Sequence, residues 1–174
     1  MKLPKLVVTD IDGVWTDGGM YYDESGNELK KFHTYDSAGV LFLRLAKIPV
    51  AICTGERTNA VQKRADKLKI DHLFQGVKNK VDVVSSLVKE MGISMQDVAY
   101  IGDDINDVHV ISKVGLSACP STAPAYVQSR VDHVLNKGGG QGVFREFVED
   151  VIFGESLESF LKEHGVLPDD DMHE

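Results

Sequence analysis

The chain has 174 residues, 43% of them apolar and 26% charged, with a formal net charge of −8. That length fits one domain burying about 70% of its unfolded surface, and the composition excludes collagen-like, disordered and disulfide-scaffold classes. An acidic chain of pI ≈ 5.2 lacks the basic footprint that nucleic acid requires of a partner. Two cysteines, Cys53 and Cys119, stand far apart with no CxxC pair, which fits neither a zinc site nor a disulfide framework and suits a reducing compartment. Met1–Lys5 leads into only a short apolar run before Asp10, and no stretch is long enough to span a bilayer. Neither a signal peptide nor a membrane partner is therefore expected, and the protein is read as cytoplasmic.

From the N-terminus, short apolar runs alternate with amphipathic stretches. Leu6-Val7-Val8 ends in Thr9-Asp10, Val50-Ala51-Ile52-Cys53 in Thr54-Gly55, and Val98-Ala99-Tyr100-Ile101 in Gly102-Asp103-Asp104. Runs this short, β-rich and free of polar alternation are those of strands buried on both faces. Between them, Val40–Ala46, Asn59–Leu68 and Val81–Met91 carry helical spacing, the last with Val84, Leu87, Val88 and Met91 on one stripe. The rhythm predicts an α/β fold: a doubly wound parallel sheet covered on both faces. Ligands of such sheets bind at the carboxyl ends of strands, where each of these runs ends in a polar cluster.

Residues 18–34 break the rhythm. Met20-Tyr21-Tyr22 and Leu29 to His33 flank a turn cluster, Asp23-Glu24-Ser25-Gly26-Asn27, which predicts a β-hairpin projecting after the first strand. Its apolar residues either pack on their own domain or meet another subunit. No repeat, low-complexity block or linker divides the chain, so residues 1–165 are read as one domain. Ser156–His164 has a helical pattern, and residues 166–174, ending Asp169-Asp170-Asp171-Met172-His173-Glu174, read as an acidic flexible tail rather than a metal site.

Asp10-Ile11-Asp12-Gly13-Val14 places two carboxylates at the end of the first buried run, with a glycine that permits a sharp turn. Two acids so close do not both stay ionised without a cation, so a hard divalent ion, Mg²⁺, is expected. A calcium loop or a plain acidic turn shares the pattern. Thr54-Gly55 offers a hydroxyl and backbone N–H groups suited to phosphate oxygens, and also reads as a simple loop. Lys80, opening a helix in Lys78-Asn79-Lys80-Val81, is either a site cation or a solvated one. Gly102-Asp103-Asp104-Ile105-Asn106-Asp107 either returns acids to the same sheet edge or caps a helix start. His33 and His109 have no pairing that marks a site.

Jointly and in this order, DxDGV, Thr-Gly, Lys and GDDxND resemble the haloacid dehalogenase superfamily of phosphotransferases, over residues 5 to about 150. The resemblance implies that Asp10 is the nucleophile, forming an aspartyl-phosphate, and Asp12 the general acid and then the base. It implies that Thr54 and Lys80 bind the transferring phosphoryl group and that Asp103 holds Mg²⁺ with Asp10 and the backbone carbonyl of Asp12. Asp107 would orient Lys80 or support the metal, and Asp104 would assist from further out. The chemistry of the residue types agrees. A carboxylate nucleophile splits hydrolysis into two easier displacements, and phosphoryl transfer chiefly needs positioning and charge neutralisation.

Larger members of that superfamily carry a specificity cap. A separate cap domain needs about 50 residues or more, and neither Asp12 to Thr54 nor Thr54 to Lys80 has that room. With no cap domain, either a macromolecular substrate or a neighbouring subunit must close the site. Asp10–Gly18, the hairpin, Asp36-Ser37-Ala38-Gly39 and Gly138-Gly139-Gly140-Gln141-Gly142 with Arg145 resemble the capless phosphatases of 3-deoxy-2-ulosonate phosphates. That subfamily implies a homotetramer assembled through the hairpins, with Gly138–Gly142 a mobile lid whose Gly139 and Gly140 reach the substrate in a neighbour's site.

The octulosonate branch reads Thr-Gly-Arg and Asp-Gly-x-Gly where this chain has Thr54-Gly55-Glu56 and Asp36-Ser37-Ala38-Gly39. Arg64 is kept at the position associated with the substrate carboxylate, and Lys67 is added on the same helix. With Gly55 and Glu56, these departures resemble the branch acting on nine-carbon acids, which implies 2-keto-3-deoxynononate 9-phosphate as substrate and a place in sialic acid biosynthesis. The alternatives are 3-deoxy-manno-octulosonate 8-phosphate and N-acetylneuraminate 9-phosphate, and Lys63, Arg64 and Lys67 read equally as a solvated basic face. From other classes, a non-catalytic oligomerisation module and a phosphoprotein phosphatase stay open. A receiver-type phospho-acceptor domain disagrees with the motif order, because its acidic pair and phosphorylated Asp lie on different strands.

Overall fold

A computed structural model describes residues 3–168; the acidic segment 169–174 lies outside the described residues. The strands in chain order are β1 (Leu6–Thr9), β2 (Tyr21–Tyr22), β3 (Glu28–Leu29), β4 (Val50–Cys53), β5 (His72–Phe74), β6 (Val98–Ile101), β7 (Leu116–Cys119) and β8 (His133–Val134). The helices are α1 (Asp36–Leu45), α2 (Asn59–Leu68), α3 (Lys80–Glu90), α4 (Val108–Ile111), α5 (Ala125–Gln128), α6 (Val143–Glu146) and α7 (Leu157–Glu163). A wide π-helical segment, Phe147–Phe153, continues α6.

Six strands form one parallel sheet in the order β5-β4-β1-β6-β7-β8. Because successive side chains point to opposite faces, each strand feeds two cores. Val7, Ile52, Ala99 and Ile101 join residues of α1, α2 and the C-terminal helices on one face. Leu6, Val8, Ala51, Cys53, Val98 and Tyr100 join residues of α3, α4 and α5 on the other. This double burial is why the strand sequences carry no polar alternation.

β1 is the switch point. The chain leaves it for β4 and β5 on one side and returns to β6, β7 and β8 on the other. The connections therefore diverge above the carboxyl ends of β1, β4 and β6, opening a crevice there.

α2 begins at Thr58, whose hydroxyl accepts the Val61 N–H at 3.3 Å, and ends at Lys69 in the left-handed region (φ 53°). Asn79 caps α3 and puts Lys80 at its first position.

The hairpin is present but shorter than its sequence suggests. β2 and β3 pair antiparallel over only Tyr21↔Leu29 and Tyr22↔Glu28. Past Leu29 the chain turns back to its own domain: the Lys30 side chain is buried, Phe32 packs on the core, and Arg64 bonds the His33 carbonyl at 3.2 Å. At the tip, Met20, Tyr21, Tyr22 and Leu29 are exposed. Among the described residues, no helix is long and apolar enough to cross a membrane.

Candidate active site

Asp10 follows β1 directly, and its N–H bonds the Ile101 carbonyl of β6 at 3.0 Å. Ile11 is fully buried in the core, so Asp10 and Asp12 both turn to the crevice. The Val14, Trp15 and Thr16 amides all bond the Ile11 carbonyl, which makes the turn. Trp15 locks it: the indole N–H donates to Thr9 Oγ1 at 2.9 Å, and its ring lies 4.8 Å from that of Phe144. Gly13 has φ 85°, and a Cβ there would lie 1.9 Å from Asp103 Oδ2. Only a glycine lets the Asp103 carboxylate of the loop after β6 come this close to the first loop.

The cavity at this edge, about 280 Å³, is lined by Asp10, Asp12, Thr54, Gly55, Glu56 and Asp103, with Gly13, Gly18, Asp104 and Asn106 around them. Beneath it runs a buried charge array. Lys80 Nζ lies 3.0 Å from Asp10 Oδ2 and 2.6 Å from Asp107 Oδ1. Tyr100 donates its hydroxyl to the same Asp107 oxygen. The other oxygen of Asp107 accepts the Asp103 and Asp104 amides at 3.0 and 3.2 Å, fixing the loop after β6.

Burial, then the Asp107 charge, pushes Asp10 up to about 7 against the pull of Lys80. Burial with Asp10 and Asp107 pushes Asp103 up to about 8. Burial works against the Lys80 ammonium, but Asp10 and Asp107 outweigh it and hold Lys80 above the usual lysine range. Cys53, under the site, is pushed up to about 12 by burial and stays a thiol.

Asp10 Oδ1, Asp12 Oδ2 and Asp103 Oδ1 are buried with no hydrogen-bond partner. Unpartnered buried carboxylate oxygens call for a proton or a cation. Asp10, Asp103 and Asp107 each bring one carboxylate oxygen within 4.8 Å of the others. Asp107 is already engaged by Lys80, Tyr100 and two amides, so Asp10 and Asp103 are the carboxylates left for a metal. An all-oxygen donor set with free lone pairs fits Mg²⁺.

The family described as haloacid dehalogenase-like hydrolase matches residues 73–147. The 3-deoxy-D-manno-octulosonate 8-phosphate phosphatase of Haemophilus influenzae is 38% identical over 148 residues, 85% of this chain and 82% of the relative. This chain belongs to that family of haloacid dehalogenase-like hydrolases. It is a phosphoric monoester hydrolase of the octulosonate-phosphatase type. The cobalt-bound structure of the Haemophilus influenzae enzyme superposes with a TM-score of 0.83 at 38% identity, covering 88% of this chain and 89% of that one. The enzyme of Moraxella catarrhalis, solved with magnesium, phosphate and 3-deoxy-D-manno-octulosonate, gives a TM-score of 0.87 at 31% identity, covering 93% and 92%. Magnesium in that relative matches the donor set found here.

Within this octulosonate-phosphatase-type fold, the residues singled out from sequence separate into groups. Asp10, Asp12, Thr54, Gly55, Glu56, Asp103 and Asp104 share one cavity, with Lys80 and Asp107 directly below. Asp104 is exposed at the rim and accepts the Tyr126 hydroxyl at 2.9 Å. Arg64 and Lys67 do not line the cavity. Arg64 lies over Trp15 and Phe32, 6.0 and 5.8 Å from their ring centres, and Lys67 is exposed on α2.

Gly138–Gly142, expected as a lid over a neighbour, packs on its own first loop. The Gly140 amide bonds the Val14 carbonyl at 2.9 Å, and Gly139 N–H bonds Thr122 Oγ1 at 3.1 Å. Glu146 ties the segment from behind by accepting the Asn136 and Lys137 amides at 2.8 and 2.9 Å. Buried Asp36 accepts the Arg145 amide at 3.1 Å, joining α1 to α6. A Cβ on Gly139 would sit 2.0 Å from the Gly13 carbonyl oxygen. Gly139→Ala is therefore expected to push the Asp12–Gly13 turn out of place and lower kcat/KM by about tenfold or more, read by steady-state phosphate release.

Two contacts have no counterpart in the sequence reading. Tyr100 supports Asp107, and Lys30 of the hairpin reaches Asp12. Tyr100 sits inside an apolar run and reads as core. Lys30 lies in Leu29 to His33, which reads as a hairpin strand with nothing to tie it to Asp12.

Proposed function

We propose that this chain is a Mg²⁺-dependent phosphatase of a 3-deoxy-2-ulosonate phosphate, with 3-deoxy-D-manno-octulosonate 8-phosphate the substrate its relatives favour. The reading rests on one observation: three carboxylates with free buried oxygens and a threonine line one small cavity, with a lysine paired to one of them beneath it. The eight-carbon assignment is supported by the relatives' names and by the sugar acid held in the Moraxella structure.

Asp10 attacks phosphorus through a carboxylate oxygen, and the bond to the leaving oxygen breaks. Asp12 gives that oxygen its proton, then takes one from the water that attacks the aspartyl-phosphate. Thr54 and Lys80 hold the transferring group, and Asp107 fixes the Lys80 ammonium where it lies. Asp10, Asp103 and the Asp12 carbonyl would hold Mg²⁺, which neutralises charge on the phosphoryl oxygens when bound.

A second reading, the nine-carbon 2-keto-3-deoxynononate 9-phosphate, is favoured by one residue. Glu56 lines the cavity where the octulosonate branch carries arginine, and a carboxylate there accepts hydrogen bonds from additional sugar hydroxyls. Arg64, Lys67, Gly139 and Gly140 lie outside the lining residues, so their part in recognition depends on a neighbouring subunit. The exposed hairpin residues Met20, Tyr21, Tyr22 and Leu29 support a homotetramer that would supply it. Light scattering that finds a monomer would remove that part of the proposal. Residues 1–165 serve as the single catalytic domain.

The deciding measurement is kcat/KM on the eight-carbon 8-phosphate, the nine-carbon 9-phosphate and its N-acetylated analogue. The first reading expects the eight-carbon acid to lead by about tenfold or more. If the nine-carbon acid leads and Glu56→Gln removes its advantage, the second reading replaces the first.

A further inference from the structure

Lys30 follows β3 on the projecting hairpin, yet its side chain is only 1% exposed. Removing an ammonium from water is costly unless acids compensate. Two do so. Nζ donates to Asp12 Oδ1 at 2.7 Å and lies 3.0 Å from Glu28 Oε1. Burial opposes the charge, but the contacts with Asp12 and Glu28 hold Lys30 above the usual lysine range.

The two oxygens of Asp12 consequently differ. Oδ1 takes Lys30 and, more loosely, the Thr16 hydroxyl at 3.3 Å, while Oδ2 is buried without a partner in a residue lining the cavity. The last torsion of an aspartate is broad and nearly two-fold, so a free carboxyl presents either oxygen. A salt bridge on one oxygen removes that choice.

We propose that Lys30 is a positioning residue for proton transfer: by clamping Oδ1 of Asp12 it aims Oδ2 at the leaving oxygen. The proposal rests on the phosphatase reading above. In the first step the Asp10–phosphorus bond forms, the phosphorus–alkoxy bond breaks, and the proton on Asp12 Oδ2 passes to the departing alkoxide. In the second, water adds to phosphorus, its proton returns to Oδ2, and Asp10 leaves. Lys30 exchanges no proton in either step. It acts through geometry, and Glu28 acts in turn by holding Lys30.

The test contrasts leaving groups. An alkoxide needs a proton to depart, whereas 4-nitrophenolate leaves without one. Single-turnover rates with Mg²⁺ are measured by rapid quench for the wild type, Lys30→Met and Lys30→Arg, on a simple alkyl sugar phosphate and on 4-nitrophenyl phosphate. Lys30→Met is expected to slow the alkyl ester about 100-fold, with KM changed by less than about threefold and nitrophenol release in the first turnover within about threefold of wild type. Lys30→Arg, which keeps a donor, is expected to recover most of the alkyl rate.

Equal losses on both esters would show that Lys30 merely ties the hairpin to the domain, and no loss on the alkyl ester would show that Asp12 needs no clamp; either overturns the proposal. If Lys30→Met does not melt cooperatively, Glu28→Gln carries the same contrast at a smaller scale, with an alkyl-selective loss of about threefold expected. A wild-type enzyme that ignores ulosonate phosphates but cleaves the simple alkyl ester would sink the substrate assignment and leave this contrast intact. One that cleaves no alkyl phosphate would overturn both.

Discussion

Asp10→Asn is expected to lower kcat by about 10⁴-fold or more while leaving the protein folded. The variant keeps the shape of the side chain and an oxygen for Lys80, so the loss would report the missing nucleophile and not a collapsed site. Stability should move the other way. Burial and the Asp107 charge raise Asp10 in the folded protein, which means its ionised form is disfavoured there. A neutral amide relieves that repulsion, while Lys80 keeps Asp107 at 2.6 Å as its counter-charge. At pH 8 without metal, the melting temperature is expected to hold or rise by roughly 3 °C. A hydroxylamine-labile phosphoryl label should appear on the wild type during turnover and be absent from the variant, because acyl phosphates are cleaved by that nucleophile. Turnover within tenfold of wild type would remove Asp10 from its role.

The parts of this site that a reader of the sequence can find are the parts set by local geometry. Asp10 and Thr54 follow an apolar strand run directly and Asp103 follows one after Gly102, and a doubly wound sheet brings strand ends together whatever lies between. Lys80 is legible because it opens α3 behind an asparagine cap. The three long helices are legible by spacing, and α2 runs over Asn59–Leu68 as its pattern predicts.

What is hidden depends on distant partners. Lys30 reaches Asp12 only because the hairpin folds back after Leu29, and Asp36 bonds the Arg145 amide across most of the chain. Arg64 reads as a ligand residue or a surface cation, but it lies over two aromatic rings on its own domain. Gly139 and Gly140 look like a flexible run; their lack of side chains instead lets two backbones touch above Gly13 and Asp17. β7 escapes notice because Leu116-Ser117-Ala118-Cys119 has one serine in four residues and no β-branched side chain, with Asp132 of the next loop satisfying that serine at 2.8 Å.

Removal of divalent cations is expected to abolish turnover and to expose a pH-dependent weakness in the fold. Without metal, Asp103 is raised from 3.8 to about 8 and Asp10 from 3.8 to about 7. Between those ordinary and raised values the folded protein retains protons that the unfolded chain has released. The unfolded state then binds fewer protons, so stability falls as pH rises across this window and levels off above it. Asp36, raised to about 6 by burial, acts in the same direction over the lower part. Mg²⁺ reverses the trend, since its ligands must shed the same protons and it binds more tightly as pH increases. EDTA-treated protein should therefore melt lower at pH 8 than at pH 5.5, and the stabilisation by saturating Mg²⁺ should be larger at pH 8 by on the order of 5 °C. Asp103→Asn separates this site from Asp36 and every other titrating group: it should raise the metal-free melting temperature at pH 8, flatten the slope and weaken the response to Mg²⁺. A melting temperature of the stripped wild type that does not change between these pH values would mean that Asp10 and Asp103 are not raised in the fold, and a Mg²⁺ response equal at both would mean that their carboxylates do not share one cation.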